Sequence, residues 1–165
     1  PPPFNINWSH DGCVCFAAAE TPVGVDVVSV ERLLRSSQGT RDFSSTLALM
    51  RPFLTAQEQR SITAASSERE QATMFAVIWA VKESVLKCLG HGLTVDPSLI
   101  DVAVPHDVPR LCTTDTAFAG VAVSVRQSLG PPVTTLVATL EPGFVVALSG
   151  NVTPETRLAF PAVWG

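Results

Sequence analysis

Apolar segments alternate along the chain with polar segments rich in turn-forming residues. Residues 13–19 (CVCFAAA) and 22–28 (PVGVDVV) predict two short β-strands. Ser29 is a good helix cap, so we expect a helix over residues 29–37. The polar stretch 36–45 (SSQGTRDFSS) predicts a surface loop after that helix.

Two further helices are indicated by capping patterns. The first begins at Thr55, where Thr55–Glu58 has the sequence of a capping box. The second begins at a similar pattern, Ser67–Glu70, and runs over residues 68–89 to a terminating Gly90. Its apolar residues recur at helical spacing. They are Met74, Ile78, Val81, Val85 and Leu89.

Strand patterns dominate the rest of the chain, at residues 99–104, 121–126, 133–139 and 144–148. A long helix beside several short strands predicts an α+β fold, in which the helix packs on a mostly antiparallel sheet. We expect one domain over residues 1–150 and an irregular tail over residues 151–165.

Composition narrows the class of protein. The 165 residues are 46% hydrophobic and 16% charged, which is enough apolar material for a sizeable core. A net charge of −4 argues against nucleic acid as a partner. A membrane-spanning helix is not expected, because no apolar run reaches about 18 residues. The chain begins with prolines rather than methionine, so we expect the natural polypeptide to extend further at its N-terminus.

The four cysteines show no zinc-site spacing. We expect buried free thiols, since free cysteine is among the most buried residue types. Free thiols are typical of a reducing compartment, which favours the cytoplasm.

Asp26 is a polar residue inside an otherwise apolar predicted strand. A buried carboxylate without a partner costs several kcal/mol, so we expect Asp26 to be paired or to bind a metal ion. The alternative is an Asp at the end of the strand that caps the helix beginning near Ser29.

Glu83 and Lys87 are four residues apart and share one face of the long helix. One interpretation is a surface ion pair worth about 0.3–0.5 kcal/mol, and spacing alone favours it. The other is that Glu83 and Asp26 hold a divalent cation while Lys87 reaches a phosphate. Mg²⁺ commonly takes one or two carboxylates together with substrate phosphate oxygens.

Ser9–Gly12 is a polar segment just before the first predicted strand, and we expect Ser9 and His10 to lie in a turn there. An adjacent hydroxyl and imidazole are commonly a surface pair. They also suit a phosphate, to which side chains and backbone N–H groups donate hydrogen bonds. The residues alone leave both interpretations open.

Three segments resemble, in the right order, the signature motifs of 4′-phosphopantetheinyl transferases. Ile6–His10 (INWSH) resembles F-N-x-S-H, and Gly24–Val27 (GVDV) resembles G-[IV]-D-[IV]. Trp79–Lys87 (WAVKESVLK) resembles W-x-x-K-E-[SA]-x-x-K, the most specific of the three. The resemblance covers about residues 4–93 and implies the C-terminal half of the larger, two-half Sfp-type enzymes. A preceding half of the same enzyme is therefore an implied partner.

The resemblance implies the 4′-phosphopantetheinyl transferase fold and a reaction. The phosphopantetheine group would pass from coenzyme A to a serine of an apo acyl or peptidyl carrier protein, releasing adenosine 3′,5′-bisphosphate. Asp26 and Glu83 would hold Mg²⁺, and Glu83 would accept the serine proton. Lys87 and Lys82 would stabilise charge on the phosphates.

Coenzyme A would be the co-substrate, with Ser9 and His10 on its 3′-phosphate. One position departs from the bacterial pattern, which has Glu where this chain has Val28. The eukaryotic aminoadipate-semialdehyde dehydrogenase-modifying type is the nearer resemblance, because it also has an apolar residue there. We expect Asp11 to supply the replacement oxygen to the metal, or else only to shape the turn before Gly12.

A non-catalytic module that binds carrier proteins is the alternative function. The absence of a first half and the substitution at Val28 both leave this alternative open. Labelling of an apo carrier protein by a fluorescent coenzyme A analogue distinguishes the two.

Overall fold

Eight strands and four helices occur in the part of the chain that the computed structural model describes, which is residues 5–35, 43–104, 110–111, 120–140 and 143–152. The strands are β1 (Asn5–His10), β2 (Val14–Ala19), β3 (Val23–Ser29), β4 (Asp101–Ala103), β5 (Arg110–Leu111), β6 (Val121–Arg126), β7 (Thr134–Leu140) and β8 (Phe144–Gly150). The helices are α1 (Val30–Leu34), α2 (Phe43–Met50), α3 (Ala56–Thr63) and α4 (Glu68–Cys88).

The central sheet has the strand order β3-β8-β7-β6-β4, with β5 beside β7. Its neighbours are antiparallel except for the β5–β7 pair. The predicted α+β class, with a long helix packed on a mostly antiparallel sheet, is therefore confirmed.

Helix α4 packs on β3 so closely that backbone atoms of the helix contact Gly24 of the strand. A Cβ atom on Gly24 would lie 2.0 Å from the carbonyl oxygen of Ser84 and 2.5 Å from the nitrogen of Cys88. No side chain other than the hydrogen of glycine fits this contact. The absence of a side chain at Gly24 thus determines how closely the long helix approaches the strand.

Strands β1 and β2 form a separate hairpin that covers the outer edge of β3. Alternate side chains of the hairpin accept hydrogen bonds from alternate N–H groups of β3. The pairs are Asn7 Oδ1 with Val25 N (2.9 Å), Ser9 Oγ with Val27 N (3.3 Å) and Asp11 Oδ2 with Ser29 N (2.7 Å). These side chains replace the backbone partner that the edge strand lacks.

The predicted helix starts are confirmed. Ser29 caps α1, Thr55 forms a capping box with Glu58 at α3, and Ser67 caps α4. Gly90 follows α4 with a φ of 73°, as expected for a terminating glycine.

Two local predictions are wrong. Ser9 and His10 lie in strand β1 rather than in a turn. Residues 43–45, predicted as part of a loop, begin helix α2, while residues 36–42 of that loop lie outside the described residues. The apolar pattern of α2 is weak, because Ser44, Ser45 and Thr46 occupy three of its first four positions. The boundary at residue 150 stays a prediction, since residues 153–165 are also outside the described part.

Free thiols are found at Cys13, Cys15 and Cys88. Cys15 and Cys88 are buried as expected, whereas Cys13 is only half-buried. Cys112 lies outside the described residues. In the described part of the chain, none of the helices combines the length and apolarity that a membrane span needs.

Replacement of Gly24 by alanine tests the close contact between β3 and α4. We expect Gly24→Ala to lower the free energy of unfolding by about 3 kcal/mol or more, since backbone atoms of α4 must move. Gly130→Ala is the matched control, because its Cβ would meet only the flexible end of Leu89 at 3.1 Å. Urea denaturation measures both variants. Equal small losses would show that α4 tolerates a side chain at Gly24.

Candidate active site

A cavity of about 380 Å³ lies where the end of β3 meets α1, α2 and α4. One wall is polar and consists of Ser9, His10, Asp11, Asp26 and Glu83. The opposite wall is apolar and includes Leu33, Met50, Phe75 and Trp79. The cavity therefore combines acidic groups with an apolar surface.

Asp26 is buried on β3 and has partners from two other elements. Its Oδ1 accepts hydrogen bonds from Ser9 Oγ on β1 and from Lys87 Nζ on α4, both at 2.7 Å. Lys87 also donates to the carbonyl oxygen of Val25 at 3.1 Å. The expectation that Asp26 is paired is confirmed, and its alternative role as a helix cap is wrong, because Ser29 caps α1.

Burial raises the pKa of the Asp26 carboxyl, although the ammonium of Lys87 and the hydroxyl of Ser9 act in the opposite direction. The folded protein thus holds a carboxylate that is incompletely compensated by its neighbours. A further positive charge in the cavity would stabilise it.

Glu83 faces the same cavity from α4. Its Oε1 is buried and makes no hydrogen bond within the described residues. Burial raises the pKa of the Glu83 carboxyl, and the nearby Asp26 carboxylate adds to this effect, while Lys87 opposes it. The surface ion pair between Glu83 and Lys87 is not formed, since Lys87 contacts Asp26 instead. A buried carboxylate, Asp26, beside a half-buried one, Glu83, whose Oε1 is buried without a partner, suits a hard cation.

Lys82 lies outside this cavity, and the structure does not support its predicted contact with phosphates. Its side chain is fully buried and its ammonium pairs with Glu58 Oε2 at 2.9 Å. Burial lowers the pKa of Lys82, and Glu58 acts against that shift. The helix turns by about 100° between Lys82 and Glu83, so adjacent residues face different surroundings.

Ser9 and His10, predicted to act together, face different surroundings. The Ser9 hydroxyl is buried and engaged with Asp26 and Val27, which leaves it no role as a surface phosphate contact. His10 is exposed at the cavity and stacks on Trp8, with ring centroids 5.5 Å apart and planes at 17°. Of the two, His10 is the residue free to meet a ligand.

Asp11 lines the same polar wall, but both of its carboxylate oxygens have partners of their own. Its Oδ2 accepts the N–H of Ser29, and its Oδ1 contacts the guanidinium of Arg32. Neither of its predicted roles, metal ligand or simple turn residue, describes this bridge between the hairpin and α1. In the described ranges no three His, Cys, Asp or Glu side chains are grouped to hold a metal ion. A shared metal ion for Asp11, Asp26 and Glu83 stays a prediction.

The aromatic wall was not predicted. Phe75 and Trp79 stack with ring centroids 6.2 Å apart and planes at 8°. The signal was present in the sequence, because Phe75, Trp79, Glu83 and Lys87 recur every four residues and form one stripe of α4.

Comparison with known proteins agrees with this geometry. The family model of the 4′-phosphopantetheinyl transferase superfamily matches residues 22–140, well over half of the chain. The chain belongs to the 4′-phosphopantetheinyl transferase superfamily. The match includes Asp26 on β3 and the whole Trp79–Lys87 segment of α4.

Named relatives in the superfamily include eukaryotic and bacterial proteins. The L-aminoadipate-semialdehyde dehydrogenase-phosphopantetheinyl transferase of Xenopus laevis is 34% identical over 62% of this chain and 33% of its own length. A 4′-phosphopantetheinyl transferase of Bacillus pumilus is 27% identical over 64% of this chain and 40% of its own length. The chain therefore spans well under half the length of these relatives.

Solved structures of the superfamily are more distant. The holo-[acyl-carrier-protein] synthase of Thermotoga maritima is 22% identical, with a TM-score of 0.45, and the match covers 86% of this chain and 64% of that protein.

Asp11 variants test whether this residue holds the hairpin or binds a cation. We expect Asp11→Ala to lower the free energy of unfolding by about 1–2 kcal/mol, because the N–H of Ser29 loses its acceptor. Asp11→Asn keeps an acceptor oxygen and is the matched control, with a loss below about 1 kcal/mol. Urea denaturation measures stability. A titration with Mg²⁺ measures its affinity, which is expected to be equal in the two variants and the wild type. A weaker Mg²⁺ affinity in Asp11→Asn at unchanged stability would instead make Asp11 a ligand.

Proposed function

We propose that this chain is the catalytic part of a transferase that moves 4′-phosphopantetheine from coenzyme A to a serine hydroxyl of an apo acyl or peptidyl carrier protein. Adenosine 3′,5′-bisphosphate is the other product. The observation that carries the proposal is the meeting of Asp26 and Glu83 at one cavity, with Lys87 bonded to Asp26, in a chain of the 4′-phosphopantetheinyl transferase superfamily.

Asp26 and Glu83 are the residues that would hold Mg²⁺. Both are carboxylates at the cavity, and the buried Oε1 of Glu83 has no hydrogen-bond partner among the described residues. Two carboxylates leave coordination positions for water and for phosphate oxygens, which is the usual Mg²⁺ arrangement. When bound, the cation would neutralise charge on the pyrophosphate of coenzyme A.

In the transfer, the serine oxygen forms a bond to the phosphorus that carries pantetheine. The bond from this phosphorus to the bridging oxygen of the pyrophosphate breaks, and adenosine 3′,5′-bisphosphate leaves with that oxygen. Glu83 accepts the serine proton, directly or through a water, because its carboxylate lines the cavity. Lys87, about a quarter exposed beside Asp26, supplies positive charge to the phosphates.

His10 is the proposed contact for the 3′-phosphate of coenzyme A. Its ring is exposed at the cavity and is held by stacking on Trp8. Ser9 acts differently from the sequence-based expectation, because its hydroxyl orients Asp26.

The active enzyme in this proposal includes a further half, as the resemblance to Sfp-type transferases implies and as the greater length of the relatives supports. The cytoplasm stays the predicted location. A carrier-binding module without activity remains the alternative, and the labelling experiment below decides between them.

Glu83→Gln tests the reaction. We expect transfer of a fluorescent coenzyme A analogue to an apo carrier protein to fall at least about 100-fold in the natural polypeptide that contains this chain. Stability is expected to stay equal or to rise at pH 7, because the charge of a half-buried carboxylate with one buried, unpartnered oxygen is removed. Glu68→Gln, the same change at an exposed position of α4, is the control and keeps full activity.

Near-normal labelling by Glu83→Gln would remove Glu83 from the reaction. Absence of labelling by the unmodified polypeptide, together with binding of the carrier protein, would establish the non-catalytic alternative.

His10→Ala tests the nucleotide contact. We expect the KM for coenzyme A to rise about tenfold, which corresponds to the loss of one charge-assisted hydrogen bond, with little change in kcat. Coenzyme A lacking the 3′-phosphate is the matched control, since its KM is expected to be the same in both proteins. If the variant discriminates between the two substrates as well as the wild type does, His10 does not contact the 3′-phosphate.

A further inference from the structure

The ammonium of Lys82 is enclosed by four oxygen atoms. Three of them are backbone carbonyl oxygens, of Phe53 (3.1 Å), Pro97 (2.9 Å) and Ile100 (2.6 Å). The fourth is Glu58 Oε2 at 2.9 Å. Both side chains of the ion pair are fully buried. Such directional contacts fix the position of an ammonium group more closely than apolar packing does.

Glu58 is equally well satisfied. Its Oε2 accepts the N–H of Thr55 at 2.7 Å, and its Oε1 accepts the N–H of Val102 at 2.9 Å. The ion pair of Lys82 and Glu58 therefore connects α4 to α3, to β4 and to the two short turns at residues 51–53 and 97–99.

Glu83 has no comparable support. Its Oε1 makes no hydrogen bond among the described residues. The position of its carboxylate therefore depends on the translation of α4 along its axis and on the rotation of α4 about that axis. Lys82 precedes Glu83 directly and attaches α4 to α3, to β4 and to the two short turns on the other side of the helix.

We propose that Lys82 is a positioning residue, which with Glu58 fixes α4 so that Glu83 faces Asp26 across the cavity. The role of the Asp26–Glu83 arrangement in catalysis rests on the proposed function. The attachment of α4 by Lys82 and Glu58 rests on the contacts alone. A role in stability alone does not require an ion pair here, because buried ion pairs are often replaced by apolar residues without loss of stability.

The double variant Lys82→Met/Glu58→Gln removes the charges but leaves an acceptor oxygen at residue 58. Lys82→Arg is the second variant, since it keeps the charge and changes the geometry of its contacts. Val77→Ala, a buried change on the same helix, is the control for a general loss of stability. Urea denaturation gives the free energy of unfolding of each variant. Mn²⁺ binding is measured by electron paramagnetic resonance, and crystal structures give the position of Glu83.

We expect both Lys82 variants to bind Mn²⁺ at least about tenfold more weakly than the wild type, as for other residues that orient metal ligands. Glu83 is expected to move by more than about 0.5 Å relative to Asp26. Val77→Ala should bind Mn²⁺ normally even where its stability is equally reduced. Unchanged binding and an unmoved Glu83 in either folded Lys82 variant would overturn the proposal. If the wild type binds no Mn²⁺, the proposed function fails, while the displacement of Glu83 still decides the positioning role.

Discussion

The contact between Gly24 and the backbone of α4 is the constraint on which the site depends. Any side chain at Gly24 would meet the carbonyl of Ser84, so the helix can lie at this distance from β3 only because the residue is glycine. The ammonium of Lys87 then reaches Asp26, two residues further along the strand. Glu83, one turn earlier on the same helix stripe, is brought to the same cavity. A wider separation would leave both carboxylates without their shared environment.

The hairpin adds a second constraint through side chains rather than backbone pairing. Asn7, Ser9 and Asp11 each accept one N–H of β3, so the first motif of the chain holds the edge of the strand that carries Asp26. The alternation of strand residues then places Trp8 and His10 on the opposite face of β1. Within one short segment, Asn7, Ser9 and Asp11 thereby stabilise β3, while the residues between them include His10, which lies at the cavity.

Local signals in the sequence were sufficient for the helix starts, because caps such as Ser29 act through neighbouring backbone groups. They also showed that Asp26 needs a partner, but not that the partner is Lys87, 61 residues away. The surroundings of Lys82 were missed because helical periodicity does not reveal which tertiary surroundings each face of α4 meets. The partners of Asp11 were missed for a similar reason, since Ser29 and Arg32 belong to the strand and helix that the hairpin covers.

Two acids, Glu58 on α3 and Glu83 on α4, differ in how fully their carboxylates are hydrogen-bonded. Glu58 is fully buried and receives Lys82 and two backbone N–H groups, as a buried carboxylate requires for stability. Glu83 keeps a buried oxygen without any such donor in the described chain, and its neighbour Asp26 raises its pKa further. Folding alone gains nothing from that arrangement. A cation in the cavity would make it favourable. For this reason we assign the proposed reaction to the unsatisfied acid rather than to the well-bonded ion pair beside it.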